Sequence, residues 1–93
     1  MAVQNIEEIA ATLNLSADEL FREALISLLK DKKREVLQAR LEVLARYGVV
    51  SARELEAKVR EGTVVEHPAW EDLIIVENLE ARLEELDGYM AGL

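Results

Sequence analysis

His67 is the only histidine of the 93-residue chain, and it is the first candidate for chemistry because Glu71 follows it by about one helical turn. Residues at i and i+4 share one face of a helix, so the pair offers two metal ligands. Zinc sites in proteins use three or four ligands, and the sequence has no cysteine. We therefore predict neither a metal nor another cofactor, and we interpret His67 as the residue that precedes a helix beginning at Pro68.

The remaining polar side chains lack the neighbours that catalysis requires. Carboxylates follow one another at helical spacing in the last third of the chain, at Glu77, Glu80 and Glu84. Helical bundles with catalytic carboxylates combine them with histidine in a Glu-x-x-His pattern, which this sequence does not contain. Ser16 and Ser51 precede predicted helices, whereas a nucleophilic serine needs an activating base beside it. We predict that the protein is not an enzyme.

Composition indicates a small soluble helical protein. Apolar residues make up 51% of the chain and charged residues 32%, with one proline and four glycines. The net charge of −8 argues against general nucleic-acid binding, which depends on Lys and Arg contacts to phosphates. No apolar run reaches membrane-spanning length, and the first residues do not show the pattern of a signal peptide. We expect a cytoplasmic protein with no membrane contact.

The segment from Ser16 to Tyr47 predicts the helix around which the chain is organised. Ser16 and Glu19 form a capping box, and neither glycine nor proline interrupts the segment before Gly48. Two apolar stripes, separated by six charged residues from Lys30 to Glu35, require two different partners. We predict one continuous helix. The first stripe contains Leu20, Phe21, Ala24, Leu25, Leu28 and Leu29, and the second contains Val36, Leu37, Leu41, Leu44 and Ala45.

Shorter elements flank this helix. Asn5, as a cap paired with Glu8, predicts a first helix that ends near Asn14. A second capping box at Ser51 predicts a short helix that ends at Gly62. The β-branched segment 63–66 fits either a connector or an edge strand that pairs with a second copy of the chain.

The distribution of charge predicts how the long helices pack. Residues 30–47 carry six basic and three acidic side chains, whereas residues 63–93 carry one basic and eight acidic ones. An antiparallel arrangement brings these regions together, with Arg40 near Glu77 or Glu80. The predicted fold is all-α and a single domain, residues 1–93. In it, residues 1–30 form a helical pair for dimerisation, and residues 31–93 form an antiparallel helical hairpin with a short third helix at its turn. The predicted basic and acidic neighbours are Lys32, Lys33 and Arg34 with Glu84, Glu85 and Asp87.

Two candidate interaction surfaces follow from the apolar pattern. The first stripe is too wide for a short first helix to cover, so we predict a homodimer closed by Leu20, Phe21, Ala24, Leu25, Leu28 and Leu29. The last helix is apolar on nearly all sides near its start, which predicts a docking surface for a basic protein. Trp70 also fits a core anchor, and dimer contacts would also account for this apolar surface. The predicted partner-binding residues are Trp70, Glu71, Asp72, Ile75 and Glu77.

One stretch resembles a known family. Leu15-Ser16-Ala17-Asp18-Glu19-Leu20-Phe21-Arg22-Glu23-Ala24-Leu25 resembles the start of the second helix of ribbon-helix-helix repressors and antitoxins, and Ile9 to Leu13 resembles the end of their first helix. The resemblance covers roughly residues 6–30 and implies a dimerising helix pair. That family reads DNA with a basic amino-terminal strand, whereas Met1 to Asn5 contain no Lys or Arg.

The whole chain is also similar to small prokaryotic helical proteins that share two short segments with it, Tyr47-Gly48-Val49 and the stretch from Glu66 to Asp72. The similarity implies a non-enzymatic interaction module, the antitoxin of a small toxin–antitoxin pair, with a basic toxin as its partner. The alternative is a DNA-binding regulator of ribbon-helix-helix type.

Overall fold

The computed structural model describes residues 5–93, which fold into four α-helices. Within these residues no strand occurs, so the prediction of an all-helical protein is confirmed. The described part is elongated, at 60 × 24 × 18 Å, since α2 alone spans about 44 Å at 1.5 Å per residue. The helices are α1 (Ile6–Thr12), α2 (Ala17–Ala45), α3 (Ala52–Arg60) and α4 (Glu66–Ala91).

The long helix α2 is continuous and begins with the predicted capping box. The Ser16 hydroxyl accepts a hydrogen bond from the Glu19 backbone N–H at 3.1 Å, and the Glu19 carboxylate accepts one from the Ser16 N–H at 3.0 Å. The second bond holds the pKa of Glu19 below its ordinary value. At the other end, Gly48 takes a φ of 65°, a left-handed conformation that suits glycine and stops the helix.

The backbone corrects one local prediction and decides between two alternatives for another segment. Asn5 makes no capping hydrogen bond with its side chain, because its φ of −93° and ψ of 6° differ from the extended conformation of a cap. The segment that precedes α4 contains no strand and is a connector. The Thr63 N–H donates to the Lys58 carbonyl at 3.0 Å, which closes the end of α3 onto this connector. Residues 1–4, where a ribbon-helix-helix strand would lie, are outside the described residues.

The main core lies at one end of the molecule, where α3 and the start of α4 pack on the end of α2. Leu55 and Val76 are fully buried, at 0% exposure, and Leu44 is 1% exposed. The core is completed by neighbouring apolar side chains from all three helices and from the α2–α3 loop. These are Val43, Val49, Val59, Ala69 and Leu73.

Two ion pairs define the packing of α4 on α2. Lys33 Nζ lies 2.8 Å from Asp87 Oδ1, and Arg40 Nη2 lies 2.9 Å from Glu80 Oε2. The later residue of α2 therefore pairs with the earlier residue of α4, so the helices run antiparallel. Such exposed pairs are worth about 0–1 kcal/mol each, so they fix the register more than they stabilise the fold.

The other two basic residues predicted to approach α4 pair inside α2 instead. Lys32 Nζ lies 3.4 Å from Glu35 Oε2, and Arg34 Nη1 lies 2.9 Å from Asp31 Oδ1. The reason is geometric, because Lys32 and Arg34 lie about 100° to either side of Lys33 on the helix.

The second apolar stripe of α2 is only partly buried, which corrects the sequence prediction. Leu37 is 43% exposed and Leu41 is 59% exposed, and Ala45 is also exposed. The side of α2 that faces α4 is marked by Arg40, and Leu41 lies about 100° away from it. One antiparallel neighbour covers only part of the circumference of α2, so these leucines stay in contact with solvent.

Candidate functional site

The pair His67 and Glu71 forms a hydrogen bond but no metal centre. His67 Nδ1 lies 2.7 Å from Glu71 Oε1, and both side chains are exposed. Among residues 5–93 no group of three His, Asp or Glu side chains is arranged to hold a metal ion. A hydrogen bond to its own backbone, followed by the one to His67, holds the pKa of Glu71 below its ordinary value. The hydrogen bond joins two side chains at the start of α4.

An uncharged face of α2 stays open to solvent. We call Ala17, Phe21, Ala24 and Leu28 the Phe21 face, because these residues lie within about 60° of one another around the helix. Phe21 is 64% exposed and Leu28 is 52% exposed. Large apolar side chains side by side in water are typical of surfaces that bind another protein.

The six predicted dimerisation residues divide into two groups. Three belong to the Phe21 face and are exposed, namely Phe21, Ala24 and Leu28. The other three, Leu20, Leu25 and Leu29, are half-buried by contacts within the chain. The exposed residues therefore lie in the middle of the predicted stripe, with the half-buried Leu20 on one side of them and the half-buried Leu25 and Leu29 on the other.

The short helix α1 packs on the beginning of α2 without covering the Phe21 face. Ala10 of α1 is 1% exposed, because it lies where α1 packs against α2. The Leu15 N–H donates to the Ala10 carbonyl at 2.8 Å, which holds the loop between the two helices. Ile9 and Leu13 remain 52% and 55% exposed, so α1 adds a second apolar pair at this end of the molecule.

The five residues predicted to bind a partner do not form one surface. A helix turns by about 100° per residue, so residues spread over positions 70–77 point in all directions. Ile75 lies within about 40° of Glu71, and Trp70 lies within about 20° of Glu77, but the two pairs are about 140° apart. Ile75 is 45% exposed, and both glutamates are exposed.

Trp70 and Asp72 have roles inside the chain. Trp70 is half-buried and packs against the core, and its indole N–H donates to Glu66 Oε1 at 3.0 Å. Asp72 is only 6% exposed, which corrects its predicted place at an exposed rim. The reason is its position on α4 next to Leu73 and Val76, which are core residues.

The buried Asp72 belongs to a polar cluster that the sequence did not predict. We call it the Asp72 junction and define it as Arg46, Tyr47, Lys58 and Asp72. The Tyr47 hydroxyl donates a hydrogen bond to Asp72 Oδ2, and Arg46 Nη1 lies 3.6 Å from Asp72 Oδ1. Lys58 Nζ donates to the Tyr47 carbonyl at 3.0 Å. The junction therefore ties the end of α2 to both α3 and α4.

The electrostatics of the junction affect its tyrosine. Desolvation, followed by the hydrogen bond to the Asp72 carboxylate, raises the pKa of Tyr47 to about 12. Burying a carboxylate is costly unless it is paired, and here the Tyr47 hydroxyl and the Arg46 guanidinium supply the partners. The junction thus holds the end of α2, α3 and the start of α4 in their relative positions.

None of the helices in residues 5–93 combines the length and the apolar character needed to cross a membrane.

The comparisons with known proteins give a family and no activity. Neither the curated proteins nor the solved structures yield a match to the chain. The family model described as "Uncharacterized protein MJ0235 family" matches residues 1–93. The chain belongs to the uncharacterized protein MJ0235 family.

Proposed function

We propose that the protein is a non-enzymatic interaction module that forms a homodimer through the Phe21 face. The observation that carries the proposal is the exposure of Phe21 and Leu28, at 64% and 52%, on a face of α2 that carries no charged side chain between them. Removing apolar surface from water yields about 25 cal/mol per Å². Most homodimers use the same surface on both copies, and an uncharged face is suited to that use.

The proposed architecture assigns the two ends of the molecule different tasks. Residues 1–30 form the dimerisation unit, and residues 31–93 form an antiparallel helical hairpin with α3 at its turn. Support comes from the position of the main core, which involves the end of α2, α3 and the start of α4. The fold at that end therefore has its own packing and leaves the opposite end available for association.

Phe21→Glu is expected to convert the dimer into a folded monomer. Phe21 is 64% exposed within one chain, so a glutamate there is expected to leave the fold intact. In a dimer interface the same glutamate would bury an unpaired charge. Light scattering at micromolar concentration measures the mass, and circular dichroism measures the helix content. The matched control is Leu41→Glu, because Leu41 is similarly exposed, at 59%, and lies outside the Phe21 face. A monomeric unsubstituted protein, or equal dissociation by both variants, contradicts the proposal.

The second part of the proposed function is the binding of a small basic protein, as expected of an antitoxin. It is supported by charge, since residues 63–93 contain eight acidic and one basic side chain. Ile75 offers an apolar contact on this acidic helix, at 45% exposure, with Glu71 on the same side. Acidic side chains around an apolar anchor speed the association with a basic partner, while the anchor supplies affinity.

Ile75→Glu is expected to weaken binding of the basic partner by tenfold or more, about 1.4 kcal/mol. The partner to use is a basic protein encoded beside this chain, purified and titrated by calorimetry. Ile74→Glu is the matched control, because Ile74 is 55% exposed and lies about 100° around the helix from its neighbour. If no such protein binds, or if both variants bind equally, the antitoxin proposal fails. The dimer proposal is tested separately.

A further inference from the structure

We infer that two copies of the chain associate through antiparallel α2 helices, with the two-fold axis beside Ala24. In this arrangement Phe21 of each copy packs against Leu28 of the other. The inference rests on the proposed homodimer and specifies its geometry, including which residues meet across the axis.

The sizes of the side chains on the Phe21 face support this position of the axis. Ala24 lies between the two large exposed residues, three positions after Phe21 and four positions before Leu28. A two-fold axis next to Ala24 places Phe21 of one copy at the same height along the helix as Leu28 of the other copy. Helices pack at about 8–10 Å, with the closer distances where the contact residue is small. The face is therefore complementary to itself.

Charge favours the antiparallel direction. Asp18 and Lys32 lie almost equally far from the proposed axis, with a difference of about 1.5 Å along the helix. They also lie within about 40° of each other around α2. Two copies in this arrangement therefore bring Asp18 of one copy level with Lys32 of the other, twice by symmetry. Such opposite charges at the rim of an apolar contact fix its direction.

A parallel arrangement in register would instead oppose identical charges. Asp31, Glu35 and Glu42 continue the Phe21 face toward the end of α2, and each would lie opposite its own copy. Like charges opposed across an interface disfavour that association. In the antiparallel dimer each of these residues is about 20 Å or more along the helix from its own copy, and the two cores lie at opposite ends of the assembly.

Cysteine cross-linking tests this geometry without interference, because the chain contains no cysteine. Ala24→Cys is expected to form a covalent dimer under mild oxidation, since the axis brings its two copies together. Ala39→Cys is the matched control on the same helix. In the antiparallel dimer its two copies are about 44 Å apart, far beyond the limit of about 7 Å between the Cα atoms of a disulfide.

A second experiment tests the same geometry at two other positions, so that the conclusion does not depend on Ala24→Cys alone. Phe21→Cys and Leu28→Cys are each expected to remain uncrosslinked alone and to form a covalent heterodimer when mixed. Cross-linking of Ala39→Cys, or of Phe21→Cys with itself, would establish a parallel dimer and overturn the inference. A dimer by light scattering in which neither Ala24→Cys nor the mixture cross-links also overturns it, while the proposed function stands. A monomeric protein overturns both.

Discussion

Leu55→Ala is expected to lower the free energy of unfolding by about 2–5 kcal/mol, the usual range for removing a fully buried leucine. Leu55 is 0% exposed and packs within the core that α2, α3 and α4 form together. Alanine in its place leaves a cavity that rigid neighbours do not fill. Small domains have only about 5–15 kcal/mol of stability in total, so the loss is a large fraction of it.

Urea unfolding followed by circular dichroism measures this effect, at one fixed protein concentration because the proposed dimer would also stabilise the folded state. Leu41→Ala is the control, since Leu41 is 59% exposed and its truncation leaves no cavity. The control is expected to change stability by about 0.5 kcal/mol or less. Equal losses in the two variants would show that α3 does not pack as described.

Tyr47→Phe is expected to cost about 1–3 kcal/mol, the price of leaving a buried polar group without its partner. The substitution removes the hydroxyl that donates a hydrogen bond to Asp72. Asp72 is only 6% exposed, so water cannot easily replace that donor. Tyr89→Phe is the matched control, because Tyr89 is 56% exposed. If the two variants lose the same stability, the hydrogen bond of the Asp72 junction contributes nothing.

The dependence on pH gives this prediction a second measurement. The pKa of Tyr47 is raised to about 12 in the folded protein, from about 10 in an unfolded chain. The folded state therefore holds the phenolic proton more tightly, so the contribution to stability is complete below pH 10. It is lost as the pH rises from about 10 to about 12. The difference in stability between the unsubstituted protein and Tyr47→Phe should shrink over this range.

Local sequence signals predicted the elements well, because helix ends depend on neighbouring residues. Ser16 with Glu19 and Ser51 with Glu54 are three residues apart, and both serine hydroxyls accept the predicted backbone hydrogen bond. The charge distribution also predicted that Arg40 would face an acidic residue of α4, and its partner is Glu80. Opposite charges on two long helices restrict the register even without a structure.

The burial of individual faces was not predictable in the same way. Leu37 and Leu41 fit an apolar stripe in the sequence, but their exposure depends on which side of α2 the helix α4 covers. Asp72 had the pattern of a favourable charge in the first turn of a helix, whereas its partner Tyr47 is 25 residues away in sequence. No local pattern indicates such a contact, since it exists only after three helices have packed.

Because the core lies at one end, the two ends of the molecule are expected to open at different free energies. Helix α1 has seven residues, fewer than an isolated helix needs to be stable in water. The amino-terminal end depends on few packed side chains and is expected to open at a lower free energy than the end that contains Leu55. A second copy bound there would stabilise the closed form by mass action, so that assembly and the ordering of this end become one coupled equilibrium.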